Sequence, residues 1–163
     1  MAKGHGLAEE FDTVGDELFQ LLLSAYCYRA KLGALSDRLR FASRKFLLEE
    51  MIALRLISNE IVLEFCKLDD DDDGNWSLRS LRKEAFRHLT DKKQVDRING
   101  LLKDYRINLN QLKTKHRNAY IAHRNVREYP NLANIPTFEQ EFQSLICEAL
   151  GLLRCSSLCE VRL

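Results

Sequence analysis

The sequence has few of the residues that interrupt regular secondary structure. Its 163 residues include two prolines and seven glycines, too few for the many turns of an all-β fold. No apolar run reaches the roughly 18 residues that a membrane-spanning helix needs. Residues 1–6 also lack a basic segment followed by an apolar one, as a secretory signal would have. These absences predict a helical, cytoplasmic protein with no membrane association.

Patterns typical of metal and cofactor sites are also missing. The five cysteines form no C-x-x-C pair, and the four histidines form neither H-x-x-x-H nor H-E-x-x-H. Most of the cysteines lie among aliphatic residues, so we expect reduced thiols in the core. They are Cys27, Cys66, Cys147, Cys155 and Cys159. The sequence predicts no bound metal and no cofactor.

Charge is distributed unevenly along the chain, although the formal net charge is +1. Residues 1–78 hold 9 Lys/Arg and 15 Asp/Glu, whereas residues 79–127 hold 14 and 4, a formal charge of +10. Residues 128–163 hold 2 and 5. The basic segment 79–127 could contact nucleic acid phosphates, or it could match the acidic N-terminal helices or an acidic partner. Charge alone does not decide between these interpretations.

Apolar residues recur at three- and four-residue steps, which predicts an all-α fold. We expect one domain over residues 1–163, built as an up-and-down bundle of four long helices plus one short helix. The first helix is expected at about 9–32, ending near Gly33, with Tyr26 and Ala30 on its inward stripe. The second is expected at about 36–66, capped by Ser36, with Ile52 and Leu56 among its inward residues.

Three further helices are predicted in the C-terminal half. A short one covers about 77–89, and a long one runs towards Ala122 from Asp91, whose residue type favours the N-cap position. The last covers about 138–153, capped by Thr137. An irregular connection at about 124–136 contains both prolines.

The aspartate-rich stretch at about 67–76 predicts a loop, because its like charges and the following Gly74 and Asn75 disfavour a helix. Its beginning, D-x-D-x-D-G from Asp69, matches the opening of an EF-hand loop. The twelfth position is Ser80, however, where calcium needs a bidentate carboxylate. We therefore interpret the stretch as a solvated acidic loop.

Residues 113–125, K-T-K-H-R-N-A-Y-I-A-H-R-N, carry the main functional signal. Arg117, Asn118 and His123 follow the pattern R-x5-H with a polar residue after the arginine, expected near the end of a long helix. This pattern resembles the signature of the HEPN superfamily. The surrounding residues, Arg-Asn followed by apolar residues and Ala-His-Arg, are typical of HEPN proteins of abortive-infection and toxin–antitoxin systems. The order of the predicted helices over about residues 7–155 also resembles that of HEPN domains.

The resemblance implies a metal-independent endoribonuclease of a toxin or phage-defence type. His123 would serve as general acid/base, Arg117 would stabilise charge on the phosphate, and Asn118 would hold a phosphate oxygen or orient His123. Weaker candidates for RNA contact are His116, Tyr120, Arg124 and Arg127.

Helical geometry adds a constraint on this site. Residues six apart on a straight helix are rotated by about 240° and separated by about 9 Å along the axis, so Arg117 and His123 of one helix do not converge easily. Members of the family commonly pair their motif helices, which predicts a twofold homodimer with the motif in its interface cleft.

Two points keep alternatives open. Some HEPN toxins carry a tyrosine two residues after the histidine, which a nucleotidyltransferase antitoxin modifies. This chain has Asn125 at that position, so the resemblance does not imply control by a cognate antitoxin of that kind. His123 could also be a helix-end histidine, and Arg117 a surface ion-pair partner. The alternative is a catalytically inactive HEPN module for dimerisation and for partner or RNA binding.

Overall fold

The structure is a computed structural model, and it describes residues 7–38, 40–70, 76–89, 91–114 and 142–157. These residues contain five helices. They are α1 (Leu7–Arg38), α2 (Arg44–Leu68), α3 (Leu78–His88), α4 (Lys92–Leu112) and α5 (Gln143–Ser157). All regular secondary structure in these residues is helical, so the predicted all-α class is confirmed for them. Four helices are long and α3 is short, as expected.

The boundary between α1 and α2 differs from the prediction. Helix α1 continues past Gly33 and includes Ser36, and the N-cap of α2 is Ser43, whose hydroxyl accepts a hydrogen bond from the backbone N–H of Phe46 at 3.2 Å. A glycine inside a helix costs only about 1 kcal/mol. Leu35, just beyond Gly33, is 6% exposed, and its burial favours continuing the helix.

The predicted starts of α3 and α4 are confirmed. Ser77 caps α3, since its hydroxyl accepts from the backbone N–H of Ser80 at 3.2 Å. Asp91 caps α4 and accepts from the backbone N–H of Lys93 at 2.9 Å. These caps satisfy N–H groups that have no partner within the helix. Thr137, the predicted cap of the last helix, lies outside the described residues.

The described ends of the last two helices also refine the prediction. Helix α4 ends at Leu112, and the predicted continuation from residue 115 to Ala122 lies outside the described residues, as does the connection at 124–136. Helix α5 continues to Ser157, four residues past the predicted end at Leu153. Ser156, in the added turn, is buried, and its hydroxyl donates to the carbonyl of Leu152 at 2.9 Å, which favours continuing the helix.

An aromatic cluster of Tyr28, Phe65, Tyr105 and Phe142 lies at the centre of the bundle. All four side chains are fully buried. The ring centroids of Tyr28 and Phe142 lie 5.7 Å apart in an edge-to-face arrangement, and Phe65 lies 6.3 Å from Phe142 and 6.5 Å from Tyr105. The cluster joins α1, α2, α4 and the residue preceding α5. Aromatic pairs in this geometry add to the stabilisation that burial alone provides.

Some residues expected in the core are exposed. Tyr26 is 71% exposed, Ile52 60% and Leu56 63%, and Ala30 is also exposed. The fully buried residues nearby are Tyr28, Leu54 and Val62. Both α1 and α2 carry apolar residues on more than one side, so periodicity alone could not show which side faces the other helices.

The cysteine prediction is only partly correct. Cys27 and Cys147 are exposed, and Cys66 and Cys155 are half-buried. None of these four described thiols forms a disulfide bond, as expected for reduced cysteines. The expectation that they lie in the core is wrong for Cys27 and Cys147, because both occupy the solvent side of their helices. Cys159 lies outside the described residues.

Polar contacts fix how the helices pair. Lys31 of α1 forms a 2.7 Å ion pair with Glu50 of α2, and farther along Glu17 of α1 lies beside Glu64 of α2. Since the earlier residue of α1 meets the later residue of α2, the two helices are antiparallel. Helices α4 and α5 are joined by the Asn108 amide, which donates to Glu148 Oε1 at 2.6 Å.

Candidate functional site

The residues of the HEPN-like motif lie in the segment between α4 and α5 that is outside the described residues. This applies to the predicted catalytic residues and to the weaker RNA-contact candidates alike, namely Arg117, Asn118, His123, His116, Tyr120, Arg124 and Arg127. The structure does describe the residues that lead into this segment, Lys113 and Thr114. Lys113 precedes Arg117 by four positions, so its surroundings are the described region closest in sequence to the motif.

Lys113 is anchored to a buried carboxylate on another helix. Its ammonium Nζ lies 2.9 Å from Oδ2 of Asp69, at the C-terminal end of α2. The Asp69 side chain is 4% exposed, and its backbone N–H donates to the carbonyl of Cys66 at 3.2 Å. A charge-assisted bond to a buried carboxylate is stronger than a surface pair. The start of the motif segment is therefore tied to α2.

Two arginines complete this group, which we call the Asp69 cluster: Asp69, Arg79, Arg106 and Lys113. Arg79, in the first turn of α3, donates through Nε to Asp69 Oδ1 at 3.0 Å. Arg106 of α4 places its Nε 3.5 Å from the same oxygen. Asp69 thus receives cations from α3, from α4 and from the residue following α4, and these contacts stabilise its charge away from water.

The aspartate prediction must be corrected at this point. Asp69 does not belong to a solvated acidic loop, because its side chain is buried and both of its oxygens accept from cations. Helix α2 also extends through Leu68, so the predicted loop at 67–76 begins later than expected. Asp71, Asp73 and Gly74, which matched the EF-hand opening, lie outside the described residues.

The Asp69 cluster has more positive than negative charge. Three cations surround one carboxylate, a formal excess of +2. Their exposure differs: the side chain of Arg106 is 49% exposed, whereas those of Arg79 and Lys113 are 18% and 22% exposed. Arg106 is therefore the member that solvent or a ligand reaches most easily.

Tyr105 lies beside the cluster and supports it without taking part in proton transfer. Its hydroxyl donates to the carbonyl of Phe65 at 3.0 Å. Burial, and after it the negative charge of Asp69, raise the pKa of this phenol well above its usual value. The phenol is therefore protonated at neutral pH and acts only as a hydrogen-bond donor.

The chemistry of the Asp69 cluster suits binding rather than acid–base catalysis. The side chains of arginine and lysine donate hydrogen bonds and have no acceptor. Such groups attract and orient anions, phosphate above all.

A second polar cluster lies between α1 and α2, away from this site. Burial, and then the hydrogen bond and charge of Glu64, raise the pKa of Glu17. Lys67 lies 2.5 Å from Glu64 Oε1, and this hydrogen bond raises the pKa of Lys67. The group contains no basic excess, and we assign it a structural role in pairing α1 with α2.

Sequence reasoning missed the Asp69 cluster, although part of its pattern was visible. Arg106 and Lys113 are seven residues apart, which places them within about 20° of each other around α4. That spacing could have identified a basic side of α4. It could not have identified Asp69 and Arg79 as the partners, because those contacts depend on how α2 and α3 pack against α4.

Comparisons of the chain with models of protein families, with curated proteins and with solved structures find no match. Among the described helices, none is both long and apolar enough to cross a membrane. In the same part of the chain, no three His, Cys, Asp or Glu side chains are grouped in a way that could hold a metal ion.

Proposed function

We propose that the protein is a metal-independent endoribonuclease of a toxin or phage-defence type that acts in the cytoplasm. The observation that carries this proposal is the sequence pattern Arg117-Asn118 and His123, which resembles the R-x5-H signature of HEPN ribonucleases. The all-helical fold with a long α4 leading towards the motif agrees with such a domain.

The proposed chemistry uses the three motif residues in separate roles. His123 takes the proton of a ribose 2′-hydroxyl or gives one to the leaving 5′-oxygen, since an imidazole titrates near neutral pH. Arg117 stabilises negative charge that develops on the phosphate. Asn118 holds a phosphate oxygen or orients His123. The reaction leaves a 2′,3′-cyclic phosphate on one product and a 5′-hydroxyl on the other.

The described structure supports this proposal through charge and through rigidity. The Asp69 cluster anchors Lys113, four residues before Arg117, to α2 and α3. A catalytic segment is more effective when it starts from a fixed element. The same cluster brings an excess of positive charge to the part of α4 nearest the motif, which favours a polyanionic substrate.

The proposed active form is a homodimer with a composite site. Arg117 and His123 are separated by six positions, a spacing that does not bring them together on one straight helix. A twofold pair of motif segments would let one chain supply the arginine and the other the histidine. A cognate antitoxin remains part of the proposal, but modification of a tyrosine two residues after His123 is not, since Asn125 occupies that position.

A second candidate function is a catalytically inactive HEPN-like module that binds RNA or a partner such as a nucleotidyltransferase. The Asp69 cluster favours this candidate as well, because its cations bind anions without any need for catalysis. The two candidates differ in one respect: only the first predicts RNA turnover that depends on Arg117 and His123.

The test is an RNA cleavage assay with EDTA present. The purified full chain is incubated with total RNA and with defined single-stranded RNAs between pH 6 and 8.5. Wild type should produce fragments with 2′,3′-cyclic phosphate ends, whereas His123→Ala and Arg117→Ala should not. His5→Ala, which changes a histidine outside the motif, should cleave like wild type. Full cleavage by a folded His123→Ala protein would refute the assignment.

A further inference from the structure

We propose that one side of α3, together with the Asp69 cluster, forms a track that binds the backbone of single-stranded RNA. The track consists of Arg79, Lys83 and Arg87 on α3, and of Arg106 and Lys113 at α4. This inference rests on the proposed function, since it takes the proposed substrate, RNA, as the ligand of this surface. It concerns binding alone, and it can therefore be tested separately from cleavage.

The spacing of the α3 residues is the first argument. Arg79, Lys83 and Arg87 follow one another at intervals of four, which places them on one side of the helix. Each interval corresponds to about 6 Å along the helix axis, comparable with the separation of successive phosphates in an extended strand. The apolar residues of α3, Leu78, Leu81 and Ala85, are buried on the other side.

The exposure of these cations is the second argument. Lys83 is exposed and the side chain of Arg87 is 72% exposed, so both can reach a ligand without moving the helix. Arg87 pairs with Glu84 on its own helix. That pair is solvated on the arginine side, and surface ion pairs of this kind contribute little and exchange readily for a phosphate partner.

The contact between α3 and α4 makes the track continuous. Arg79 and Arg106 both approach Asp69 Oδ1, at 3.0 Å and 3.5 Å, so the α3 stripe meets α4 at this oxygen. Asp69 fixes the two arginines beside each other, where alone they would repel. Because the cations are already ordered, a phosphate that binds them costs less side-chain entropy.

The balance of charge supports an anionic ligand. Helix α3 carries Arg79, Arg82, Lys83 and Arg87 and a single acidic residue, Glu84, which gives these side chains a formal charge of +3. Lys83 and Arg87 are not members of the Asp69 cluster, so they are the residues chosen to test RNA binding.

The experiment measures binding of a fluorescent 2′-O-methyl oligonucleotide, which has no 2′-hydroxyl to react and so cannot be cleaved. The full-length Lys83→Gln/Arg87→Gln protein is compared with wild type by fluorescence anisotropy over a range of salt concentrations. The matched control is Lys93→Gln/Arg97→Gln. It removes from α4 an exposed lysine and an exposed arginine that are four positions apart in the sequence. Arg97 lies nine residues before Arg106, on the opposite side of that helix.

The α3 variant should bind about tenfold more weakly at low salt, and the control should change less than twofold. The slope of log affinity against log salt should fall by about 1.4 in magnitude, because each phosphate contact on a single strand contributes about 0.7. Arg106→Gln should reduce the slope by about 0.7. Equal losses in the variant and the control, or no wild-type binding at low salt, would overturn the track.

The cleavage assay separates this inference from the proposed function. If wild type binds the oligonucleotide through the track but cleaves no RNA, the track stands and the endoribonuclease proposal fails. If wild type cleaves RNA while the α3 variant binds and cleaves like the control, the proposed function stands and the track is refuted. An α3 surface that bound an acidic protein instead would also appear as unchanged RNA affinity.

Discussion

Two neighbouring groups of side chains around Tyr105 hold the helices together in different ways. The aromatic cluster joins α1, α2 and α4 through rings that are fully buried. The Asp69 cluster joins α2, α3 and α4 through a single buried carboxylate and three cations. All four rings of the aromatic cluster are buried within the fold. The Asp69 cluster places three cations around one carboxylate, so its formal charge is positive.

The two clusters stabilise the bundle by different physical effects. Removing apolar surface from water stabilises a fold regardless of charge. A buried charged group stabilises it only while its partners remain in place. Substitutions in the two clusters should therefore differ in size and in their dependence on salt and pH.

Phe65→Ala should have the largest effect on stability. Phe65 is fully buried and contacts the rings of Tyr105 and Phe142, so its loss leaves a cavity among three helices. The free energy of unfolding should fall by about 3 to 5 kcal/mol. Urea denaturation measures this change. Leu56→Ala, on the same helix but 63% exposed, should cost less than about 0.5 kcal/mol, and equal losses in both variants would contradict the described packing.

Asp69→Asn should have the next largest effect. It leaves Arg79, Arg106 and Lys113 close together without their shared anion, and breaking a buried pair in this way costs about 3 kcal/mol. Unlike the Phe65 loss, this deficit should shrink at high salt, because ions screen the repulsion among the three cations. Asp96→Asn, at an exposed site on α4, is the control. A stability deficit that does not respond to salt would argue against a charge cluster.

Glu148→Gln should have the smallest effect and the opposite sign. Burial raises the pKa of Glu148, the amide of Asn108 opposes the shift and the charge of Asp104 reinforces it. Glu148 Oε2 has no hydrogen-bond partner within the described part of the chain. Unlike Asp69, this carboxylate has no neutralising cation at its described contacts.

The sign of this effect follows from the raised pKa. A raised pKa in the folded state means that protonated Glu148 favours folding, a contribution present below the unfolded pKa and lost as pH rises through the folded value. At pH 7.5 the neutral glutamine should therefore stabilise the protein by less than about 1 kcal/mol. At pH 4 the difference should disappear. Thermal denaturation at both pH values tests this, with exposed Glu60→Gln as the control.

The fold was easier to predict from the sequence than the candidate site. Periodic apolar residues and the cap Asp91 identified helices, because these signals are local. Tyr26 and Leu56 were placed wrongly, since the choice between two apolar sides depends on packing. Asp69 was placed wrongly for a related reason: a buried aspartate and a solvated one look the same until its partners on other helices are known.

For the motif, unlike the Asp69 cluster, the sequence alone provides the assignment. Arg117, Asn118 and His123 were identified by residue type and spacing alone, and these residues lie outside the described part of the chain. Their assignment therefore depends on chemistry, and the central claim is that Arg117 of one chain and His123 of another form one cleavage site.

Mixing inactive variants tests this claim most directly. Arg117→Ala and His123→Ala proteins are co-refolded in equal amounts and assayed on single-stranded RNA with EDTA present. A composite site predicts that each variant alone is inactive and that the mixture recovers roughly a quarter of wild-type activity, because half of the dimers are mixed and each has one intact site of two. No recovery from a mixture shown to contain mixed dimers would contradict a site shared between chains.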